Sequence, residues 1–260
     1  MQYSEFYKKI GFNKELQRLE KQAYLGFEKE INMLKTLNLK EDSDILEVGS
    51  GPGFFTKILL ENFSKSQITC LDSDEEFLKV ASNNLSRDYG DRVIFAKDNI
   101  ISSAMPDNYF DYVIARFVFQ HLSDPVSALK EIYRVLKPGG KVVIIDIDGG
   151  LWGTTYPKND LIYALHNNLN KLQSSLKGNR EIGKILLTLL KKKGFRNLDI
   201  QAVINHSDIL GKDNFRYKIN SNIISDLKLS NVIDEYNKFF DLENSSIMML
   251  KLFFYGEKPR

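Results

Sequence analysis

From Asp44 to Asp148 the chain alternates two patterns of apolar spacing. Short apolar runs fall at 44–48, 67–71, 93–96, 110–115 and 141–147. Between them apolar residues recur at three- and four-residue steps, over about 54–63, from Asp74 to about Leu85, and from Val126 to Leu136. The first pattern predicts strands and the second predicts helices. Strands alternating with helices imply a parallel sheet with right-handed crossovers. Runs rich in Ile and Val on both faces suit a sheet covered on both sides.

Upstream, Leu16, Leu19, Ala23, Phe27, Ile31, Leu34 and Leu37 keep helical spacing, so residues 1–40 are predicted helical. Downstream the rhythm breaks. Residues 149–178 hold Gly149-Gly150, Trp152, Tyr156 and Pro157, followed by a helical pattern from Leu161 to Leu176. A helix from Glu181 to Lys193 is stopped by Gly194. Strands follow at 197–204 and 247–255, separated by a polar, mostly helical stretch. The predicted class is therefore α/β: a doubly wound, seven-stranded, mostly parallel sheet with helical cap insertions. One domain spans 1–260. It divides into an N-terminal helical lid (1–40), a core (41–148), cap insertions (149–178 and 208–245) and a final strand (246–260).

Bulk composition narrows the partners. Hydrophobic residues make up 43% and charged residues 27% of 260, and 36 basic against 34 acidic residues leave a net charge of +2. So even a balance argues against nucleic acid and membrane surfaces. The single cysteine, Cys70, excludes an internal disulfide and a thiolate metal cluster. The histidines, His121, His166 and His206, are too scattered for a metal site, and none is expected. The start of the chain lacks a basic-then-apolar signal segment, and a cytoplasmic protein is expected.

The chemistry concentrates in Glu47-Val48-Gly49-Ser50-Gly51-Pro52-Gly53, a strand end running through three alternate glycines into a helix. Glycines there permit unusual backbone angles and let a ligand approach the main chain. The following helix N-terminus favours a negative ligand group. Asp72, at the end of the second strand, stands where mononucleotide-binding folds place an acid on ribose hydroxyls.

Together these motifs, from Asp44 to Lys137-Pro138-Gly139-Gly140 and Asp148, resemble the class I S-adenosylmethionine-dependent methyltransferases, of Rossmann-like fold. The resemblance implies S-adenosyl-L-methionine as cofactor and S-adenosyl-L-homocysteine as product. It assigns the methionyl tail to Gly49, Gly51 and Gly53, with Glu47 orienting the loop or meeting the ammonium. Asp72 takes the ribose, Asp98 the adenine amine, and Ser73, Asn99 and Ile100 the ring faces. Arg116 presents its carbonyl, Phe117 borders the methyl group, and the N-terminal helices lie across the cleft, with Tyr3, Phe6, Tyr7, Phe12 and Tyr24 at its entrance.

On the acceptor side the expected groups are His121 as general base, with Asp146, Asp148, Trp152, Tyr156, Asp160 and Arg180. Three acids with Trp152 and Tyr156 would hold a cationic amine, partly by cation–π contact. The expected function is methyl transfer to nitrogen or oxygen of a small molecule or peptide in an enclosed pocket, in secondary (natural product) metabolism, by a monomer or homodimer. A nicotinamide-dependent oxidoreductase shares the strand–glycine loop–acid order. A non-catalytic S-adenosylmethionine-binding protein is the third reading.

Overall fold

The computed structural model describes residues 11–151, 153–216 and 230–260, and for 230–232 the backbone alone. Tyr3, Phe6, Tyr7, Trp152 and the 217–229 part of the second cap lie outside the described residues.

Two helices, α1 (Phe12–Tyr24) and α2 (Phe27–Thr36), lead into β1 (Asp44–Val48), α3 (Phe54–Asn62), β2 (Gln67–Asp72), α4 (Glu75–Tyr89), β3 (Val93–Lys97) and β4 (Phe110–Arg116). Then come α5 (Pro125–Val135), β5 (Leu136–Asp146), β6 (Gly153–Tyr156), α6 (Asp160–Ser175), α7 (Gly183–Lys193) and β7 (Arg196–His206). A helical turn (Ser207–Leu210), α8 (Ser230–Phe239) and β8 (Ser246–Glu257) complete the described elements. Local chemistry explains several boundaries. Asp74 caps α4 by accepting from Glu76 N (2.9 Å) and Phe77 N (3.2 Å). Asp124 accepts from Ser127 N (3.0 Å), with Pro125 in the first turn of α5.

The sheet runs β3-β2-β1-β4-β5-β8-β6, with β7 paired to the other edge of β8. Strands β1 to β5 pair in parallel, and β8 is antiparallel to β5, β6 and β7. Among the described residues this is a doubly wound sheet of eight strands, where seven were expected. The extra strand, β6, lies inside the expected cap insertion. It exists because β8 is 12 residues long. β5 covers Leu252 to Glu257 of it, and β6 takes up the same edge from Ser246 to Met249.

The N-terminal region also departs from one continuous helix. Gly26, with φ of 69°, separates α1 from α2, and a Cβ there would stand 2.4 Å from Asn205 Oδ1. A left-handed backbone and a touching side chain together require glycine.

Helices α1 to α4 cover one face of the sheet and α5 and α7 the other. Ile58, Leu59, Val143, Ile144, Phe253 and Phe254 are fully buried between them. Each such side chain contributes roughly 1.5–3 kcal/mol through burial. A third, separate cluster joins α6, α8 and the start of β8 through Ile162, Leu165, Phe239, Phe240 and Ile247. The two cap insertions thus share one small core. No described helix is long and apolar enough to cross a membrane.

Candidate active site

The glycine loop is held by the strand beside it. Gly49 N and Ser50 N both donate to Leu71 O, at 2.7 and 3.2 Å. Gly49, Gly51 and Gly53 all have positive φ (66°, 55° and 80°). A Cβ at Gly49 would fall 2.5 Å from Val118 Cγ2, whereas one at Gly51 would meet nothing within 4 Å. The loop is thus packed at its root and open at its tip.

Asp72 clasps that tip. Its Oδ2 accepts from Gly51 N and its Oδ1 from Asp74 N, both at 2.8 Å. Burial raises its pKa, and the backbone donors oppose the rise. Each carboxylate oxygen keeps a second lone pair, enough for a diol. Asp98 N donates to Asp72 O (3.0 Å), bringing the third strand's acid alongside. The Asp98 carboxylate is engaged in its own turn, accepting from Asn99 N and Ala104 N at 2.7 Å each. Asn99 likewise accepts from Ile101 N (3.0 Å), while Ser73 is exposed at the cleft. Beneath the loop the buried Glu47 accepts from the Thr56 hydroxyl at 2.6 Å. Burial pushes its pKa up to about 7. Cys70 is buried, as expected, and its thiol donates to Thr56 at 3.5 Å.

At the end of β4, the Arg116 side chain enters an ion cluster. Its Nε and Nη2 donate to Glu30 at 2.8 and 3.0 Å, and Nη2 also donates to Gln22 O at 2.9 Å. The guanidinium lies 4.7 Å from the Phe55 ring and 4.9 Å from the Phe117 ring. Glu30 is shared with Lys251 Nζ, which also donates to Leu25 O at 2.7 Å. Phe117 adopts φ of 56°, held by its N–H on Ile145 O at 2.7 Å. Sequence reading missed Glu30 and Lys251. Both are charges at positions where helical or strand spacing calls for core residues, and that misfit was the available signal.

The acceptor side differs from expectation. His121 Nδ1 lies 2.9 Å from Gln173 Nε2, which also donates to Gln120 O at 2.8 Å. The carbonyl fixes Gln173's nitrogen as donor, so Nδ1 accepts and the neutral ring carries its proton on Nε2. Sequestering of the ring, with the Arg180 and Arg18 charges nearby, pulls this histidine down to about 4, although the residue as a whole is exposed. In this arrangement the Nδ1 lone pair faces Gln173.

Nor do the three acids converge. Asp146 is fully buried and accepts from Gln120 N (3.1 Å) and Ile147 N (2.9 Å), and burial pushes its pKa up to about 7. Asp148 is buried and accepts from Gly150 N (2.9 Å) and Lys184 N (3.0 Å), closing the 148–184 loop pair. Asp160 is at the surface, ion-paired to Lys158 at 2.8 Å. Tyr156 is 70% exposed on β6. Arg180 Nε donates to Asn170 Oδ1 at 3.1 Å, and its charge opposes the rise in the Asp146 pKa.

The donor set suits a sulfonium nucleoside. Backbone N–H groups and Glu47 match an amino-acid tail, and the Asp72 carboxylate matches a ribose diol. Comparison with known proteins agrees. A family model described as a methyltransferase domain matches residues 46–144. The demethylmenaquinone methyltransferase of Staphylococcus epidermidis is 34% identical over 136 residues, covering 52% of this chain and 54% of that protein. The chain spans about half the length of the curated relatives it matches. Among solved structures, phosphoethanolamine N-methyltransferase 2 of Haemonchus contortus, in complex with phosphomonomethylethanolamine and S-adenosylhomocysteine, has a TM-score of 0.60 at 22% identity, over 90% of this chain and 54% of that one. The 4+2-cyclase SpnF has a TM-score of 0.56 at 20% identity, over 85% and 77%. At these identities the likeness is one of fold, and the fold serves more than one chemistry.

Proposed function

We propose that this chain, which has the class I methyltransferase fold and carries a methyltransferase domain over residues 46–144, moves a methyl group from S-adenosyl-L-methionine to nitrogen or oxygen of a small molecule or peptide. The bound cofactor supplies the activated methyl carbon. The chain's own part is to fix that carbon against the acceptor, and alignment of this kind can supply much of the rate. Gly49 to Gly53 hold the amino-acid tail, Asp72 holds the ribose, and Phe117 walls the methyl group. His121, with Nδ1 engaged by Gln173, orients rather than deprotonates. An acceptor that arrives as a neutral amine or an oxyanion needs no base.

Asp146 and Asp148 are tied to backbone N–H groups and Asp160 to Lys158, so these acids do not form one pocket for a cationic amine. The demethylmenaquinone methyltransferases match about half of this chain, and the acceptor does not follow from that match. The observation that carries the proposal is the bond from Gly51 N to Asp72, which assembles loop and acid into one cradle. Calorimetry tests it. S-adenosylhomocysteine should bind, NAD should not, and Asp72→Asn should weaken binding about 10-fold or more, the cost of a charge-assisted hydrogen bond. Binding of NAD instead would restore the oxidoreductase reading. A substrate screen for a mass gain of one methylene then finds the acceptor.

A further inference from the structure

Helix α1 is tied down at both ends, and the two ties lie on opposite sides of the glycine loop. At its start Phe12 stacks on Phe77 of α4, with ring centroids 5.6 Å apart and planes at 21°. α4 follows β2, whose last residue is Asp72. At its other end the last-turn carbonyl of Gln22 accepts from Arg116, and the Leu25 carbonyl accepts from Lys251. Arg116 ends β4. In the sheet order β2-β1-β4, the strand between these ties is β1, which feeds the glycine loop. The helix is therefore anchored on one side beside the element that follows Asp72 and on the other at the end of β4, with the strand that feeds the glycine loop between the two ties.

The second tie is unusual in composition. Glu30, fully buried, carries both Arg116 and Lys251. Burial alone would raise the pKa of Glu30, but the two cations outweigh it and hold the carboxylate charged. Ion clusters of this kind rarely add net stability against a well-packed apolar core, yet removing one member is costly. Here both cations spend a donor on main-chain carbonyls of the α1 end, so the cluster fixes where that helix sits.

We propose that the Glu30–Arg116–Lys251 cluster and the Phe12–Phe77 stack are the two fastenings of one strap that retains the cofactor, with Glu30 and Lys251 acting as positioning residues. The inference rests on the methyltransferase reading of the cradle. It predicts that the distant fastenings act as a unit: once either is loosened, loosening the other changes little.

The test is a double-mutant cycle on the full chain, read by S-adenosylhomocysteine affinity and by amide exchange. Lys251→Met and Phe12→Ala should each weaken binding about tenfold, and the double variant should be no worse than about the same tenfold. Amides of α1 should lose protection in both variants while those of β1 and the glycine loop keep theirs. Single variants within twofold of the parent, or a double variant whose loss is the product of the two, would overturn the proposal. Phe12 is only half-buried, so Phe12→Ala decides the matter alone if Lys251→Met does not fold: unchanged affinity and unchanged α1 protection would sink it. A parent protein that does not bind S-adenosylhomocysteine would instead defeat the reading of the cradle itself.

Discussion

At the scale of single residues, the acid under the loop carries a measurable signature. Glu47 holds its proton up to about pH 7 in the folded chain, against an ordinary value of 4.5. A raised acid stabilises the fold below its unfolded pKa, and that contribution is lost as pH rises from 4.5 through 7. The size is on the order of 3 kcal/mol at most, from about 2.5 pKa units. Asp146 acts in the same direction, while His166, held neutral by burial, destabilises the fold as pH falls below 6.5. The whole protein's profile therefore mixes opposing effects, and a difference profile isolates one. Glu47→Gln keeps an oxygen for Thr56 and removes the titration. The melting temperature of the ligand-free variant should exceed the parent's by a margin that grows from pH 5 to pH 7.5, while S-adenosylhomocysteine binds it more weakly. A flat difference would show that Glu47 is ionised throughout. The placement of Glu47 and Asp72 against the loop was legible in the sequence because it follows from their spacing to the glycines nearby. The state of His121 was not, because Gln173 lies 52 residues further on and nothing local to His121 announces it.

At the scale of elements, boundaries set by caps and turns were readable, and elements set by distant partners were not. Strands β1 and β2, and helices α3 to α5 and α7, fall within a few residues of their predicted places because cap residues and breakers sit at their ends. β6 escaped notice because four residues, Gly153-Thr154-Thr155-Tyr156, carry too little alternation. Its existence is decided by the spare length of β8. The break between α1 and α2 was missed because a single glycine in a helical pattern is weak evidence. That break is itself testable. Gly26→Ala places a side chain at φ of 69° and against Asn205. It should cost about 2–3 kcal/mol, part backbone strain and part overlap. Adding Asn205→Ala should return the overlap part only, which thermal denaturation of the three variants can separate. Full recovery in the double variant would mean that the left-handed backbone costs nothing.

At the scale of the molecule, the two sides of the cleft belong to different cores. The cofactor side hangs on the sheet and its two helical layers. The acceptor side hangs on α6, which reaches the 117–121 segment through Gln173 and the 178–183 segment through Asn170 and Arg180. α6 in turn packs against α8 and the start of β8, in a core that, among the described residues, shares no buried residue with the other two. Separate cores permit separate opening, since local unfolding follows contiguous packed units. Phe239, packed edge-on against Phe240 at 5.3 Å, is central to the cap. Its truncation to Ala should cost the cap about 3–5 kcal/mol, the usual range for a buried aromatic. Amide exchange should then speed up across α6, α8 and β6. The strands β1, β2 and β4 should keep their protection, and S-adenosylhomocysteine affinity should stay within about twofold. Loss of cofactor affinity in this variant would mean that the cradle and the cap fold as one unit, and that the acceptor cannot be exchanged by altering the cap alone.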